Sequence, residues 1–207
     1  MELFVPHYLA RPRDPVTAGV VVVHEGMGIT SQLLRFCERL AAEGFAVVAP
    51  DLFFRSGGPE AASFQELIGA MTLEQTLRDL EEATSTVRAA GAERVGITGF
   101  CMGGRVTYQA AVHGHFDAAV GFYGGGIAGE LGQPSCPTLL LFGGNDPYIP
   151  AADIEKVAAH HQDTVVYPEA GHGFMRDGSD SYHPEAAADG WDRMLAHFRR
   201  HLGAGTP

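Results

Sequence analysis

The sequence predicts an α/β protein: a mostly parallel, doubly wound sheet of about six to eight strands, flanked by helices. Three observations predict it. Short apolar, β-branched runs alternate with segments of helical period. The first long run, "VVVVHE" (20–25), has no polar alternation until its end, as in a strand covered on both faces. And "GITGFCMGGR" (96–105) places a Gly-rich turn between an apolar run and the next helix.

Residues 1–10 are expected to add an edge strand, and 20–25 form the first buried one. Thr30 or Ser31 caps the next helix, whose Leu33, Leu34, Cys37, Leu40 and Ala41 recur at helical spacing before Gly44 ends it. "FAVVAP" (45–50) is a second buried strand, and "RSGGPE" a loop. Residues 61–90 are helical in period, either two helices or one broken near Gly69, with Leu73, Leu77, Leu80, Ala83 and Val87 on one face. Strands follow at 94–99, 116–124, 137–143 and 164–168, with helices over about 102–113, 151–161 and 184–201. In the last helix Trp191, Met194, Leu195 and Phe198 face inward. No repeat, low-complexity segment or long linker divides the chain, so residues 1–207 read as one domain.

The bulk numbers exclude several classes. With 45% hydrophobic residues the chain is not disordered. A net charge of −11, one lysine (Lys156) and no basic stripe argue against nucleic acid as a partner. No apolar run is long enough to span a membrane, and "MELFVPHYLARPRD" lacks signal-peptide features, so a cytoplasmic protein is expected. Cys37, Cys101 and Cys136 form neither a C-x-x-C pair nor a disulfide framework. No cofactor and no metal is expected. The pairs His113/His115 and His160/His161 fall at helix ends, without metal-ligand spacing to a cysteine or carboxylate. "GMGITS" nearly matches a dinucleotide loop, but Ser31 stands where the third glycine belongs.

Cys101 lies just past a strand and opens a helix, between Gly99 and Gly103. G-x-C-x-G is the thiol version of the nucleophile-elbow pattern. Side chains two positions either way would collide with the neighbouring strand and helix, and Gly104 adds room for close packing. The helix N-terminus favours thiolate, and the Met102 N–H faces the place where a carbonyl oxygen would gain charge. A nucleophile on this turn calls for an acid and then a histidine after later strands. Asp146 follows "TLLLFG" and His172 follows "TVVYP", in that order and at matching strand ends. His172 would take the thiol proton or stand as imidazolium beside a thiolate, with Asp146 orienting the ring.

The stretches "VVVHEGMGIT", "GFAVVAPDLF", "VGITGFCMGGR", "AVGFYGGG", "GGNDPYIP" and "EAGHGFMR" resemble the dienelactone hydrolase family of the α/β-hydrolase fold, in family order over nearly the whole chain. The resemblance implies hydrolysis of a lactone or small ester through an acyl-thioester. It implies Cys101 as nucleophile, His172 as base and Asp146 as the residue that positions it. It also implies Glu25 as a carboxylate beside the thiol, and the amides of Gly26 and Met102 as oxyanion hole. Arg176 matches a family arginine that pairs with this glutamate at rest and turns to the substrate carboxylate. The freed glutamate then takes the thiol proton. A charged Glu25 at the end of a buried strand does require a partner. Tyr123 and Phe174 are expected on the substrate pocket, with Met27, Met102, Met175, Phe53, Phe54 and Phe122 around it.

The sequence also departs from the family. The segment after "PDLFFRSGG" is short, and the N-terminal hairpin is truncated. Arg78 is the only arginine in 59–80 and sits on a helix face, so the family's second substrate-binding arginine is missing. Arg55 either supplies that charge or is a solvated loop residue. Two alternatives stay open: a general small-ester or thioester hydrolase, and a non-catalytic redox-sensing thiol protein on the same fold. The partner expected is a small molecule that bears a carboxylate, for a monomer or small homo-oligomer.

Overall fold

The computed structural model describes residues 5–203. Its chain begins with β1 (His7–Ala10), which pairs antiparallel with β3 (Ala46–Pro50) at one sheet edge. The expected edge strand is therefore present over its second half, and residues 1–4 lie outside the described residues. Next to β3 runs β2 (Ala18–Val23), and both strands bury every residue. Helices cover both faces, so Val20 and Val22 enter one core layer while Val21 and Val23 enter the other.

Between β2 and β3, α1 (Ser31–Ala42) starts at Thr30, whose hydroxyl accepts the Leu33 N–H at 3.2 Å. After β3 come α2 (Phe64–Ala70) and α3 (Leu73–Ala89). These are two helices rather than one. Ser63 and Glu66 form a capping box at the first, and Thr72 caps the second. Thr72, not Gly69, marks the break, and Leu73 beside it is 39% exposed, outside the inward face expected for it.

From β4 (Arg94–Phe100) onward the chain follows its predicted order: α4 (Met102–His113), β5 (Ala118–Phe122), β6 (Thr138–Gly143), α5 (Ala151–His160), β7 (Thr164–Tyr167) and α6 (Pro184–Leu202). The seven strands lie in the order β1-β3-β2-β4-β5-β6-β7, parallel except for β1. One face packs on α1 and α6, with Trp191, Met194, Leu195 and Phe198 all buried; α3 and α4 cover the other. Because β2, β4, β5 and β6 run parallel, the loops after them open at one end of the sheet, where α/β proteins place their ligands.

Candidate active site

Cys101 joins β4 to α4 with φ +54° and ψ −117°, a conformation that side chains rarely adopt. Its N–H donates to Phe122 O at 3.0 Å, and its C=O accepts from Gly104 and Arg105, so the bend is held on both sides. The flanking glycines are required by contact. A Cβ on Gly99 would lie 2.3 Å from Gly103 O, and one on Gly103 would lie 2.4 Å from Val23 O. Cys101 is partly exposed, whereas Cys37 is fully buried and its thiol is pushed up to about 12 by desolvation. Burial also raises Cys136.

The loops after β6 and β7 bring Asp146 and His172 together. Asp146 Oδ1 accepts the N–H groups of Tyr148 (2.8 Å) and Ile149 (3.3 Å), which locks its rotamer. Its Oδ2 lies 2.7 Å from His172 Nδ1, with the carboxylate fully buried. Burial pulls His172 down, but hydrogen bonding and charge from Asp146 and Cys101 outweigh it and push the ring up to about 9. The charged ring is thus favoured at neutral pH, with Asp146 at Nδ1 and Cys101 within electrostatic reach. The rings of Tyr123 and Tyr148 each stand edge-on to it, 5.1 Å away.

Glu25, two residues past β2, occupies the same end of the sheet. Its Oε2 accepts two bonds from Arg176, at 2.6 and 3.0 Å, and its Oε1 accepts the Tyr123 hydroxyl at 3.0 Å. Arg176 is within electrostatic reach of Cys101. It returns to the site because its N–H closes a turn onto Gly173 O at 2.8 Å, so one short loop carries both His172 and Arg176. Tyr123 has φ +37° and is, with Cys101, one of two non-glycine residues at positive φ among the described residues. Strain is thus concentrated at this site. Burial and the Glu25 charge hold the Tyr123 hydroxyl well above its ordinary range, so it remains a donor.

His24 is a residue that sequence reasoning missed. It is fully buried, and burial lowers its pKa. Its Nε2 accepts the Leu52 N–H at 3.1 Å, so the proton is on Nδ1, which donates to Glu25 O at 2.7 Å. The Gly28 N–H donates to that same oxygen at 3.0 Å. A trans peptide points its N–H opposite its C=O, so these two donors turn the Gly26 N–H the other way. Among the described residues neither the Gly26 nor the Met102 amide donates a hydrogen bond. A buried histidine next to Glu25 was visible in "VVVVHE", but nothing in the pattern separated it from a plain strand residue.

The aromatic expectations divide. Tyr123 and Met175 line a cavity of about 320 Å³ beside Glu25, and Met27 stands exposed at its rim. Phe174 does not line that cavity: it is fully buried and packs behind Tyr123 at 5.2 Å between ring centroids. Phe122 is likewise core, and Phe53 packs edge-on against His24. Arg55 is neither a free charge nor a solvated loop residue. It grips Asp79, which is almost fully buried, through two bonds of 2.6 and 2.8 Å. Arg78 pairs with Glu74 on the exposed face of α3. Among the described residues no three His, Cys, Asp or Glu side chains are grouped to hold a metal ion, and no helix is long and apolar enough to cross a membrane.

A parallel sheet wound on both faces, with a strained strand-to-helix elbow at β4 and loops from β6 and β7 converging on it, defines an α/β-hydrolase-fold protein. The sequence pattern of the dienelactone hydrolase family matches residues 5–202, and the chain belongs to that family. It is accordingly a hydrolase of the lactone and ester class. A Salmonella typhimurium protein named "Putative carboxymethylenebutenolidase" is 37% identical, over 96% of this chain and 84% of its own length. The crystal structure of a "Putative Dienelactone Hydrolase" from Klebsiella pneumoniae superposes with a TM-score of 0.85 at 35% identity, covering 95% of this chain and 93% of that one. A dienelactone hydrolase-like promiscuous phosphotriesterase from metagenomic libraries gives a TM-score of 0.74 at 26% identity, over 92% and 89% of the two chains.

Proposed function

We propose that the protein hydrolyses a lactone or small carboxylic ester by a Cys101–His172–Asp146 triad through an acyl-thioester. The observation that carries this reading is His172, bonded to buried Asp146 at 2.7 Å and within electrostatic reach of Cys101. Two further groups make the chemistry specific. Glu25 is held by Arg176 and Tyr123, both within electrostatic reach of Cys101. A substrate carboxylate that draws Arg176 away leaves Glu25 a stronger base, and Glu25 then takes the thiol proton.

The sulfur attacks the carbonyl carbon. The new oxyanion accepts from the Gly26 and Met102 N–H groups, which have no other acceptor among the described residues. When the tetrahedral adduct collapses, the C–O bond breaks and His172 gives its proton to the leaving alkoxide. The ring, now neutral, takes a proton from water, whose hydroxide attacks the thioester; the C–S bond breaks, the acid leaves, and Glu25 returns its proton to the thiolate. Asp146 holds the ring and stabilises its charged form in both halves. Cys37 and Cys136, both raised by burial, are poor candidates for this role.

A general small-ester specificity has one observation in its favour: Arg55 and Arg78 are both occupied by carboxylates, so neither supplies a second substrate-binding charge. Replacing Cys101 by alanine is expected to abolish hydrolysis of a chromogenic ester and leave the thermal unfolding curve in place. Cys101→Ser should be far weaker than wild type, since a hydroxyl is not ionised at neutral pH. Unchanged turnover in Cys101→Ala removes the mechanism.

A further inference from the structure

We propose that the cavity between α1 and α6 is an anion-reading subsite, in which Arg35 and Arg39 hold a carboxylate at the far end of a short apolar substrate chain. This rests on the hydrolase reading of Cys101. The cavity measures about 320 Å³, within the range of small-molecule sites. Glu25 and Tyr123, whose hydroxyl donates to that carboxylate, both line it, so the cavity adjoins the groups proposed to restrain the thiol. Phe36, Phe100 and Met175 supply apolar walls, and Arg35 and Arg39 stand on its α1 side.

Arg35 and Arg39 are the two arginines that line this cavity. Arg55, Arg78, Arg105, Arg193 and Arg199 are each taken by a carboxylate. Neither Arg35 nor Arg39 has an ion pair or hydrogen bond among the described residues. They stand four apart on one helix, so their like charges face the same side and disfavour the helix unless an anion lies between them. Arg39 is also held in place: its guanidinium lies 3.7 Å over the Trp191 ring. Stacking uses the face of the guanidinium and leaves its edge N–H donors free for a carboxylate. Asp177 is the other acid lining the cavity, against two cations. In a protein of net charge −11, an anionic substrate is repelled almost everywhere else.

Trp191 is the only tryptophan and reports the subsite without catalysis. Titrating wild type with glutarate or adipate should change its fluorescence saturably, whereas dimethyl glutarate and dimethyl adipate, which carry no charge, should bind at least about tenfold more weakly. Arg35→Gln, which leaves the Arg39–Trp191 stack intact, should weaken the dicarboxylate by about tenfold or more. In kinetics, mono-p-nitrophenyl glutarate is compared with p-nitrophenyl butyrate. The ratio of kcat/KM for the anionic over the neutral ester should fall by about tenfold in Arg35→Gln and further in the R35Q/R39Q double variant, through KM. A ratio unmoved in both variants overturns the subsite, as does a dicarboxylate titration that is flat or identical in wild type and Arg35→Gln. If wild type hydrolyses neither ester, the hydrolase reading fails, and the fluorescence titration alone decides the subsite.

Discussion

Asp146→Asn isolates what the carboxylate does for His172. The amide oxygen of asparagine still accepts the N–H groups of Tyr148 and Ile149, so the loop after β6 keeps its shape. The amide nitrogen, however, now faces His172 Nδ1 at the former 2.7 Å contact and can only donate. The ring must turn the Nδ1 lone pair to this new amide and carry its proton on Nε2, the wrong tautomer for receiving one from water. The energy follows from the titration. His172 is raised from 6.5 to about 9 against its own burial, so its two partners together favour imidazolium by about 3 kcal/mol or more. Taking half of this from Asp146 gives about 1.5–2 kcal/mol, and the tautomer penalty brings the expected loss in kcat to about 10²–10³-fold.

The assay is the pH dependence of ester turnover, with the His172 ring followed by NMR. Wild type should lose turnover as pH rises through about 9, where the ring ceases to be a proton donor to the leaving group. In Asp146→Asn that limb should move down by about 1–1.5 pH units. Stability carries the same sign. A pKa raised in the folded state stabilises fully below the unfolded value near 6.5 and ceases to do so as pH rises through 9. The gap in thermal stability between wild type and Asp146→Asn should therefore be widest near pH 6 and close above pH 9. A variant within about threefold of wild type in kcat, with its basic limb still near 9, refutes the reasoning.

Other outcomes follow from single contacts. Gly103→Ala forces a Cβ within 2.4 Å of Val23 O and 2.6 Å of His24 O, both backbone, and should destabilise by about 3 kcal/mol or prevent folding; a melting temperature equal to wild type contradicts the elbow packing. Arg55→Ala strands almost fully buried Asp79 with Gln75 as its remaining partner and should cost about 3 kcal/mol in urea unfolding, while neutral-ester turnover per folded molecule stays put; a selective loss for carboxylate substrates would make Arg55 a substrate ligand instead. Thr107→Val removes a fully buried hydroxyl that has no hydrogen-bond partner among the described residues and should raise stability by about 1 kcal/mol; a loss of similar size would reveal an unseen partner.

The helices and strands were legible because their signals are local. Gly44, Thr30 and the β-branched runs mark ends and faces directly, and α4 begins and ends where its pattern said. The positions of Cys101, Asp146 and His172 followed from topology, since parallel strands deliver the loops that follow them to one end. What the sequence hid was contact between distant residues. That Tyr123 donates to Glu25 depends on the positive φ that turns its side chain inward, which no pattern announces for a tyrosine. That Arg55 belongs to Asp79, 24 positions on, requires α3 to lie beside the loop after β3. Phe174 is expected on the pocket, but it is fully buried and packs against Tyr123 instead.

The most direct test of the account is to catch the acyl group in transit. Enzyme mixed with a slowly deacylating chromogenic ester is quenched in acid within the first turnover, digested and read by mass spectrometry. The account predicts one acyl group, labile to hydroxylamine, on the peptide that carries Cys101, and none in Cys101→Ala. Acyl label on any other side chain, or full turnover with the Cys101 peptide unmodified at every quench time, contradicts it.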